Sequence, residues 1–238
     1  MTDRPPLKNR VAIVTGASRG IGFAVSRALA AAGAHVIAIA RTTGGLEELD
    51  DVITRDGGMV TLAPFDLAKL DQIDAVVGSI YQRFERLDIL VANAAHPSPL
   101  TPMAHSNPKD WEKTFALNVF ANQRLIRSCD ALLRNSDAGR AIFTTCSIAR
   151  DRKAFWSANA ASKAALETLV QTYAMEVQKT PLRVNLVDPG PVATNLRAMA
   201  YPGEDPSTLP KPDDVAGLFV DAALPSFQGH RQVIEPAK

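Results

Sequence analysis

The chain has 238 residues, of which 46% are hydrophobic and 21% charged, so it is long enough to bury one sizeable core. Twenty-six Lys and Arg residues against 25 Asp and Glu residues leave a formal net charge of +1. No long basic run is present, which argues against nucleic acid as a partner. The start, MTDRPPLKNR, lacks the apolar core of a secretory signal, and no apolar run approaches the roughly 20 residues that cross a bilayer. We therefore expect a cytoplasmic protein without a membrane partner.

The two cysteines, Cys129 and Cys146, are too few for a disulfide framework and do not have the spacing of metal ligands. We expect both to be small buried side chains in a reducing compartment, and we expect no metal site.

Short apolar runs rich in β-branched residues alternate with longer amphipathic or Ala-rich segments, a pattern typical of βαβ units and a parallel sheet. The pattern predicts strands over 11–15, 35–40, 59–64, 89–93, 141–146, 183–187 and 231–234. It predicts helices over 20–32, 45–54, 70–84, 109–133, 159–178 and 212–223.

The predicted fold is a single doubly wound, Rossmann-type α/β domain over residues 1–238, with a mainly parallel sheet of about seven strands and helices on both faces. Residues 191–212 include the proline-rich run YPGEDPSTLPKP, which is unsuited to a regular helix or strand. We expect a loop there that acts as a substrate lid.

A glycine-rich turn joins the first predicted strand to the first predicted helix, in the run TGASRGIG. Glycines at this position allow a tight turn and close backbone approach, while the free N–H groups of the helix end receive a pyrophosphate. The turn therefore predicts a dinucleotide site formed by Gly16, Ser18, Arg19, Gly20, Ile21 and Gly22. The alternative is that the glycines serve only the turn.

The end of the second strand indicates which dinucleotide is preferred. An acidic residue there would accept hydrogen bonds from a free ribose 2′-hydroxyl, but this chain has Arg41, and Arg19 lies in the glycine turn. Two guanidinium groups can hold a 2′-phosphate, which favours NADP(H) over NAD(H). The alternative is that both are solvated surface charges. Asp66, at the end of the third strand, either caps the next helix or binds the adenine amine, and both roles are compatible.

Several further motifs occur in a fixed order along the chain, and with them the sequence resembles the short-chain dehydrogenase/reductase family over almost its whole length. These motifs are the NAA element containing Asn93, Asn118 in ALNVFAN, Ser147, the ASK element ending at Lys163, and DPGPV at residues 188–192. The segment FWSANAASK further resembles a bacterial branch of that family.

The resemblance implies hydride transfer between the nicotinamide and a carbonyl or alcohol substrate, with a tyrosine exchanging the proton. Lys163 would bind the nicotinamide ribose and lower the tyrosine pKa, Ser147 would hydrogen-bond the carbonyl oxygen, and Asn118 would interrupt its helix and hold a water. Asn93, Pro189, Gly190 and Val192 would lie beside the nicotinamide. The family also assembles through the helices predicted over 109–133 and 159–178, which implies a homodimer or homotetramer.

Asn159 occupies the position, four residues before Lys163, where the resemblance implies the tyrosine. A primary amide can donate a hydrogen bond, but it does not release a proton in the physiological range. Tyr81, Tyr173 and Tyr201 do not have the required spacing. We therefore expect weak activity, or none, with residual rate from cofactor proximity and from oxyanion stabilisation by Ser147 and Asn159.

Two other features allow alternative interpretations. His96 follows Asn93 in the loop after the fourth strand, and it is either a substitute proton donor or an ordinary loop histidine. The charged run from Arg150 to Lys153 is either a solvated loop or a surface that attracts an anionic substrate.

Two functional hypotheses follow from the sequence. The first is an NADP(H)-dependent oxidoreductase impaired by Asn159, and the second is a non-catalytic NADP(H)-binding scaffold or sensor. The remaining motifs favour the first.

Overall fold

A computed structural model describes residues 5–237 of the chain. Seven parallel strands form one sheet in the order β3-β2-β1-β4-β5-β6-β7. Their bounds are β1 Val11–Thr15, β2 His35–Ala40, β3 Met59–Pro64, β4 Ile89–Ala92, β5 Arg140–Thr144, β6 Arg183–Val187 and β7 Val233–Ile234. The predicted fold class is confirmed, and β1, β2, β3 and β6 have the predicted bounds.

The α-helices on the two faces of the sheet are α1 Gly20–Ala31, α2 Thr43–Arg55, α3 Ile73–Phe84, α4 Pro108–Phe115, α5 Ala121–Asn135, α6 Ile148–Asp151, α7 Ser157–Glu176, α8 Asn195–Ala200 and α9 Pro212–Ala223. A π-helical turn, Ala116–Phe120, separates α4 from α5, so the single helix predicted over 109–133 is interrupted around Asn118. None of the described helices is long and apolar enough to span a bilayer.

The strands are buried on both faces because the sheet lies between two helical layers. Along β1, Ile13 belongs to one core cluster, whereas Ala12 and Val14 belong to the other, as the alternation of side chains along a strand requires. The first cluster packs against α3, α5 and α7, and the second packs against α1, α2 and α9. This two-sided burial explains why the strands are almost continuously apolar in sequence.

The strand order places a crevice at the carboxyl ends of β1 and β4. The chain proceeds from β1 outward to β3 and then returns to the other side of β1 with β4. In open parallel sheets, ligands bind at this point of reversal. The glycine turn and the NAA element both lie there.

A buried ion cluster lies at the opposite end of the strands, where β1 and β4 begin. Asp88 is fully buried just before β4, and it accepts hydrogen bonds from Arg10 at 3.0 Å, Arg86 at 2.6 Å and Ser136 at 2.6 Å. Burial alone would raise the pKa of Asp88, but these donors and a backbone N–H lower it below the ordinary value. The cluster joins the starts of β1 and β4 to the segment after α5.

The prediction of an irregular loop over 191–212 was wrong in part. Residues Asn195–Ala200 form α8, and Pro206–Thr208 form a short 3₁₀ turn. The prolines flank α8 instead of interrupting it, and Thr194 caps it by accepting the Arg197 N–H at 3.2 Å.

Candidate active site

The glycine turn adopts the backbone that the sequence indicates. Gly16 and Gly20 have φ angles of +69° and +57°, a region that side chains disfavour. A Cβ on Gly22 would lie 2.3 Å from the Gly16 carbonyl oxygen and 2.7 Å from Asn93 Nδ2. Gly22 therefore allows α1 to pack tightly against the turn, whereas Gly16 and Gly20 shape the turn itself.

A large cavity of about 1150 Å³ opens over this turn and crosses the carboxyl edge of the sheet. Every predicted cofactor-binding residue except Gly22 lines it: Gly16, Ser18, Arg19, Gly20, Ile21, Arg41, Asp66, Asn93, Lys163, Pro189, Gly190 and Val192. The residues chosen from separate motifs are therefore brought together in one continuous space.

Arg19 and Arg41 lie exposed at one end of the large cavity. Within residues 5–237 neither guanidinium forms a salt bridge, so both are available to an anion. Asp66 Oδ1 accepts the Ala68 N–H at 3.0 Å, which closes a turn in the loop after β3. The expected helix cap is not formed, because the next helical turn has Lys69 at its N-cap position and α3 has Gln72, and neither start has a side-chain cap. A Cβ on Gly45 would lie 2.5 Å from the Ser18 carbonyl oxygen, so α2 approaches the turn closely, a contact that sequence reasoning missed.

Asn93 joins the ends of three strands. Its N–H and that of Ala94 both donate to Thr15 Oγ1 at 3.0 Å, and Asn93 Nδ2 donates to the Thr15 carbonyl at 3.1 Å. Thr144 Oγ1, at the end of β5, donates to Asn93 Oδ1 at 3.4 Å. Asn93 therefore holds the crevice in shape.

A smaller cavity of about 430 Å³ adjoins the large one, and Lys163 lines both. Lys163 Nζ donates to the Thr144 carbonyl oxygen at 2.7 Å, which fixes the ammonium at the junction. Burial lowers the pKa of Lys163, and negative charge on Cys146, Asp188 and Glu167 acts in the opposite direction. Lys163 is the one Asp, Glu, Lys or Arg residue lining the smaller cavity in the described part of the chain.

Asn159 and Asn118 both line the smaller cavity, but their amides are bound to backbone. Asn159 Oδ1 accepts the Ser98 N–H at 2.8 Å, and Asn159 Nδ2 donates to the Ser98 carbonyl at 2.9 Å. Asn118 Oδ1 accepts the His96 N–H at 2.8 Å, and its Nδ2 donates to the His96 carbonyl at 3.2 Å. We call these four hydrogen bonds the amide clamp. It holds residues 96–98 against α7 and the π-helical turn.

Ser147 lines the large cavity with Lys163, but it does not line the smaller cavity with Asn118 and Asn159. Its side chain is exposed and lines only the large cavity, and its hydroxyl donates to Asp151 Oδ2 at 2.6 Å. The preceding residue, Cys146, lines both cavities, although sequence reasoning assigned it to the core. Burial raises the pKa of the Cys146 thiol, while nearby Lys163 lowers it. Asp151, four residues after Ser147, was overlooked in the sequence as a possible hydrogen-bond partner of the Ser147 hydroxyl.

His96 lines the smaller cavity and is half-buried. Burial lowers its pKa, and the positive charges of Arg41 and Lys113 lower it further, so the neutral imidazole is favoured. Tyr201 lines the large cavity, 5.8 Å from the Trp156 ring and with the Arg197 guanidinium 3.8 Å above it. Tyr173 is remote, and its hydroxyl donates to Asp130 at 2.8 Å.

Arg150 is not free to attract an anionic substrate. Its guanidinium donates to Glu167 at 2.5 Å, to Asp188 at 2.7 Å and to Glu235 at 3.2 Å. Asp188 also accepts the Gly190 N–H at 3.1 Å. Arg150 therefore fixes the segment beginning at Asp188. Arg152 and Lys153 are exposed, and Lys153 lines the large cavity, so the two interpretations of this charged run stay open for these two residues.

The parallel sheet, the glycine turn and the cavity at the point of strand reversal together define a dinucleotide-binding type of α/β protein. The short chain dehydrogenase family model matches residues 10–205. The chain belongs to this family.

Individual relatives are similar over nearly their full length. The oxidoreductase YciK of Escherichia coli K12 is 35% identical over 223 residues, which are 90% of this chain and 86% of the relative. An NADPH-dependent aldehyde reductase-like protein of Arabidopsis thaliana is 33% identical over 219 residues, which are 87% of this chain and 80% of the relative. A short-chain dehydrogenase structure from Shigella flexneri in complex with NADP has a TM-score of 0.92 and 33% identity, covering 98% of this chain and 99% of its own.

Proposed function

We propose that this protein is an NADP(H)-dependent oxidoreductase that transfers hydride between the nicotinamide and a carbonyl or secondary alcohol, with a rate limited by Asn159. The observation that carries the proposal is the position of Lys163 where the two cavities meet, held by the Thr144 carbonyl at 2.7 Å. One cavity, of about 1150 Å³, has the lining expected for a dinucleotide. The other gives a small molecule access to the same ammonium.

The residues of the large cavity fit NADP(H). The glycine turn and the N-terminus of α1 suit the pyrophosphate, because no Cβ blocks the approach at Gly16 or Gly20. Arg19 and Arg41 suit the 2′-phosphate, and Pro189, Gly190 and Val192, which line the same cavity, would contact the nicotinamide. When bound, the cofactor supplies or accepts the hydride. Similarity to structures complexed with NADP and NADPH supports this assignment.

The chain's own contribution is charge at the reaction centre. In its protonated form, Lys163 would favour the negative charge that develops on a carbonyl oxygen bound in the smaller cavity during reduction. Asn159 cannot supply the proton, and both ends of its amide are bound to Ser98, so the alkoxide that hydride transfer produces would take its proton from water. Losing a positioned general acid lowers the rate by about 10²–10⁴-fold. We therefore propose slow turnover.

The amide clamp also favours a second candidate, a non-catalytic NADP(H)-binding scaffold or sensor. In that case Asn159 serves to order residues 96–98 and no reaction is required of it. In either case we propose that copies associate as a homodimer or homotetramer through α5 and α7, which size-exclusion chromatography with light scattering would test.

Restoring the acid distinguishes the two candidates. We expect Asn159→Tyr to oxidise NADPH about 10²–10⁴ times faster than the unaltered chain against a panel of aldehydes, ketones and quinones. Ser147→Ala in the same background serves as a control, and it should not abolish the gain if Ser147 stays bound to Asp151. Tight NADPH binding with no turnover in Asn159→Tyr would support the scaffold and overturn the enzyme.

A further inference from the structure

Exposed apolar side chains are concentrated around the smaller cavity. Of ten large apolar residues exposed in the described chain, three line this cavity, Leu100, Leu196 and Met199, and a fourth, Phe155, directly precedes the lining residue Trp156. The exposed fraction reaches 73% for Met199 and 57% for Phe155. Exposed apolar residues scattered singly are ordinary, but a group around a cavity marks a binding surface.

The segments that carry these residues are linked to one another. The Thr101 N–H donates to the Phe155 carbonyl at 3.2 Å, which joins the loop after β4 to the loop before α7. In and after α8, Arg197 binds both carboxylate oxygens of Glu204 at 2.6 Å and covers the Tyr201 ring. These contacts fix the rim in the described arrangement.

The short helix α8 turns its apolar side toward the cavity. Leu196 and Met199 are three residues apart and therefore lie on the same helical face. Both line the smaller cavity, and both are still partly open to solvent, with exposed fractions of 43% and 73%. An apolar group entering the cavity would cover surface that the chain itself leaves uncovered.

The polar side chains that line the smaller cavity are fewer than the apolar ones, and they are those of His96, Ser98, Asn118, Asn159 and Lys163, beside the Cys146 thiol. Lys163 belongs to the reaction centre, and the amides of Asn118 and Asn159 are bound by backbone. Much of the remaining lining has little or no hydrogen-bonding capacity, and it includes Leu100, Ile148, Trp156, Leu196, Met199 and Ala200. A charged or polyhydroxylated substituent would lose its hydration against these side chains and would gain few partners there.

We propose that the smaller cavity binds the apolar part of the substrate, so that the preferred substrates are carbonyl compounds or alcohols with an extended alkyl or aryl substituent. This inference rests on the proposed function, because the cavity is continuous with the cofactor site at Lys163, Cys146 and Leu196. The carbonyl lies at the Lys163 end, and the apolar part lies between α8 and residues 97–100.

The test is the binding of straight-chain primary alcohols to the unaltered protein, measured by calorimetry with and without saturating NADP⁺. From butanol to octanol we expect affinity to rise by roughly tenfold for every two carbons, because each buried methylene contributes about 0.8 kcal/mol. Affinity independent of chain length, in both states of the protein, would overturn the inference. Failure to bind NADP⁺ would instead overturn the proposed function, and the series without cofactor would still report on the cavity.

A double variant in α8 and a control variant in β3 test whether the smaller cavity causes the dependence of affinity on chain length. We expect Leu196→Ser combined with Met199→Ser to lower the ratio of octanol to butanol affinity at least fivefold. The control is Met59→Ser, which alters a comparably exposed apolar residue at the start of β3 and should leave the ratio unchanged. An unchanged ratio in the double variant would place the apolar part elsewhere and overturn the inference.

Discussion

Asn118 and Asn159 hold the same loop from two different elements, each pairing its amide with the N–H and carbonyl of a backbone residue, His96 and Ser98. The two bound residues are two positions apart, as alternate residues of a strand would be. The residue that stands in place of the expected acid is therefore part of the support for the wall of the smaller cavity. Its hydrogen bonds account for its burial at 8% exposure.

Removing either amide should destabilise the fold. Asn118→Ala and Asn159→Ala each leave an N–H and a carbonyl of residues 96–98 without their partners, at a cost of about 1–3 kcal/mol. Denaturant unfolding measures the change, and Ser147→Ala, which alters an exposed side chain, should change stability by less than about 0.5 kcal/mol. Equal stability of the chain and Asn159→Ala would contradict the clamp.

Arg41→Ala should weaken NADPH binding by about 10–100-fold while changing NADH affinity little, because the charged hydrogen bonds to a 2′-phosphate exist only for NADPH. Arg55→Ala is the matched control, since Arg55 is an exposed arginine at the far end of α2 with a side-chain exposure of 72%. Competitive titration measures both ratios. An equal loss for the two dinucleotides would assign Arg41 a role other than phosphate recognition.

His96→Ala tests whether the loop histidine supplies the proton. Because burial lowers the His96 pKa, the imidazole is neutral near neutral pH and is a poor acid there. We expect the residual rate of the variant at about pH 7.5 to stay within tenfold of the unaltered chain. A larger loss, together with disappearance of a titration below pH 6.5, would identify His96 as the donor.

The ion cluster around Asp88 predicts that the free energy of unfolding depends on pH in the acid range. The folded-state pKa of Asp88 is depressed, so its stabilising contribution is present above the unfolded value of 3.8 and is lost as pH falls through the lower folded value. Asp88→Asn should cost about 3 kcal/mol at neutral pH and flatten the stability curve at acid pH. Parallel curves for the two proteins between about pH 5 and 2 would contradict this assignment.

Much of the fold could be predicted because its signals are local. The apolar, β-branched runs predicted both end residues of β1, β2, β3 and β6 correctly, and the glycines predicted the turn after β1. Helix α8 was not predicted because it is only six residues long and lies between prolines, so the possible N-cap at Thr194 was overlooked.

The details of the candidate site depend on contacts between distant residues. The Asn159–Ser98 pair spans 61 positions, and neither residue has a local pattern that indicates the other. Cys146 was expected to be a small buried side chain, and its position on both cavities depends on how the end of β5 packs, which the sequence pattern does not determine.

The most direct test of the account is a calorimetric titration of the unaltered chain with NADPH and with NADH. We predict saturable binding of NADPH with one site per chain, at least tenfold tighter than binding of NADH. Absence of saturable NADPH binding would contradict the account, whichever reaction the protein performs.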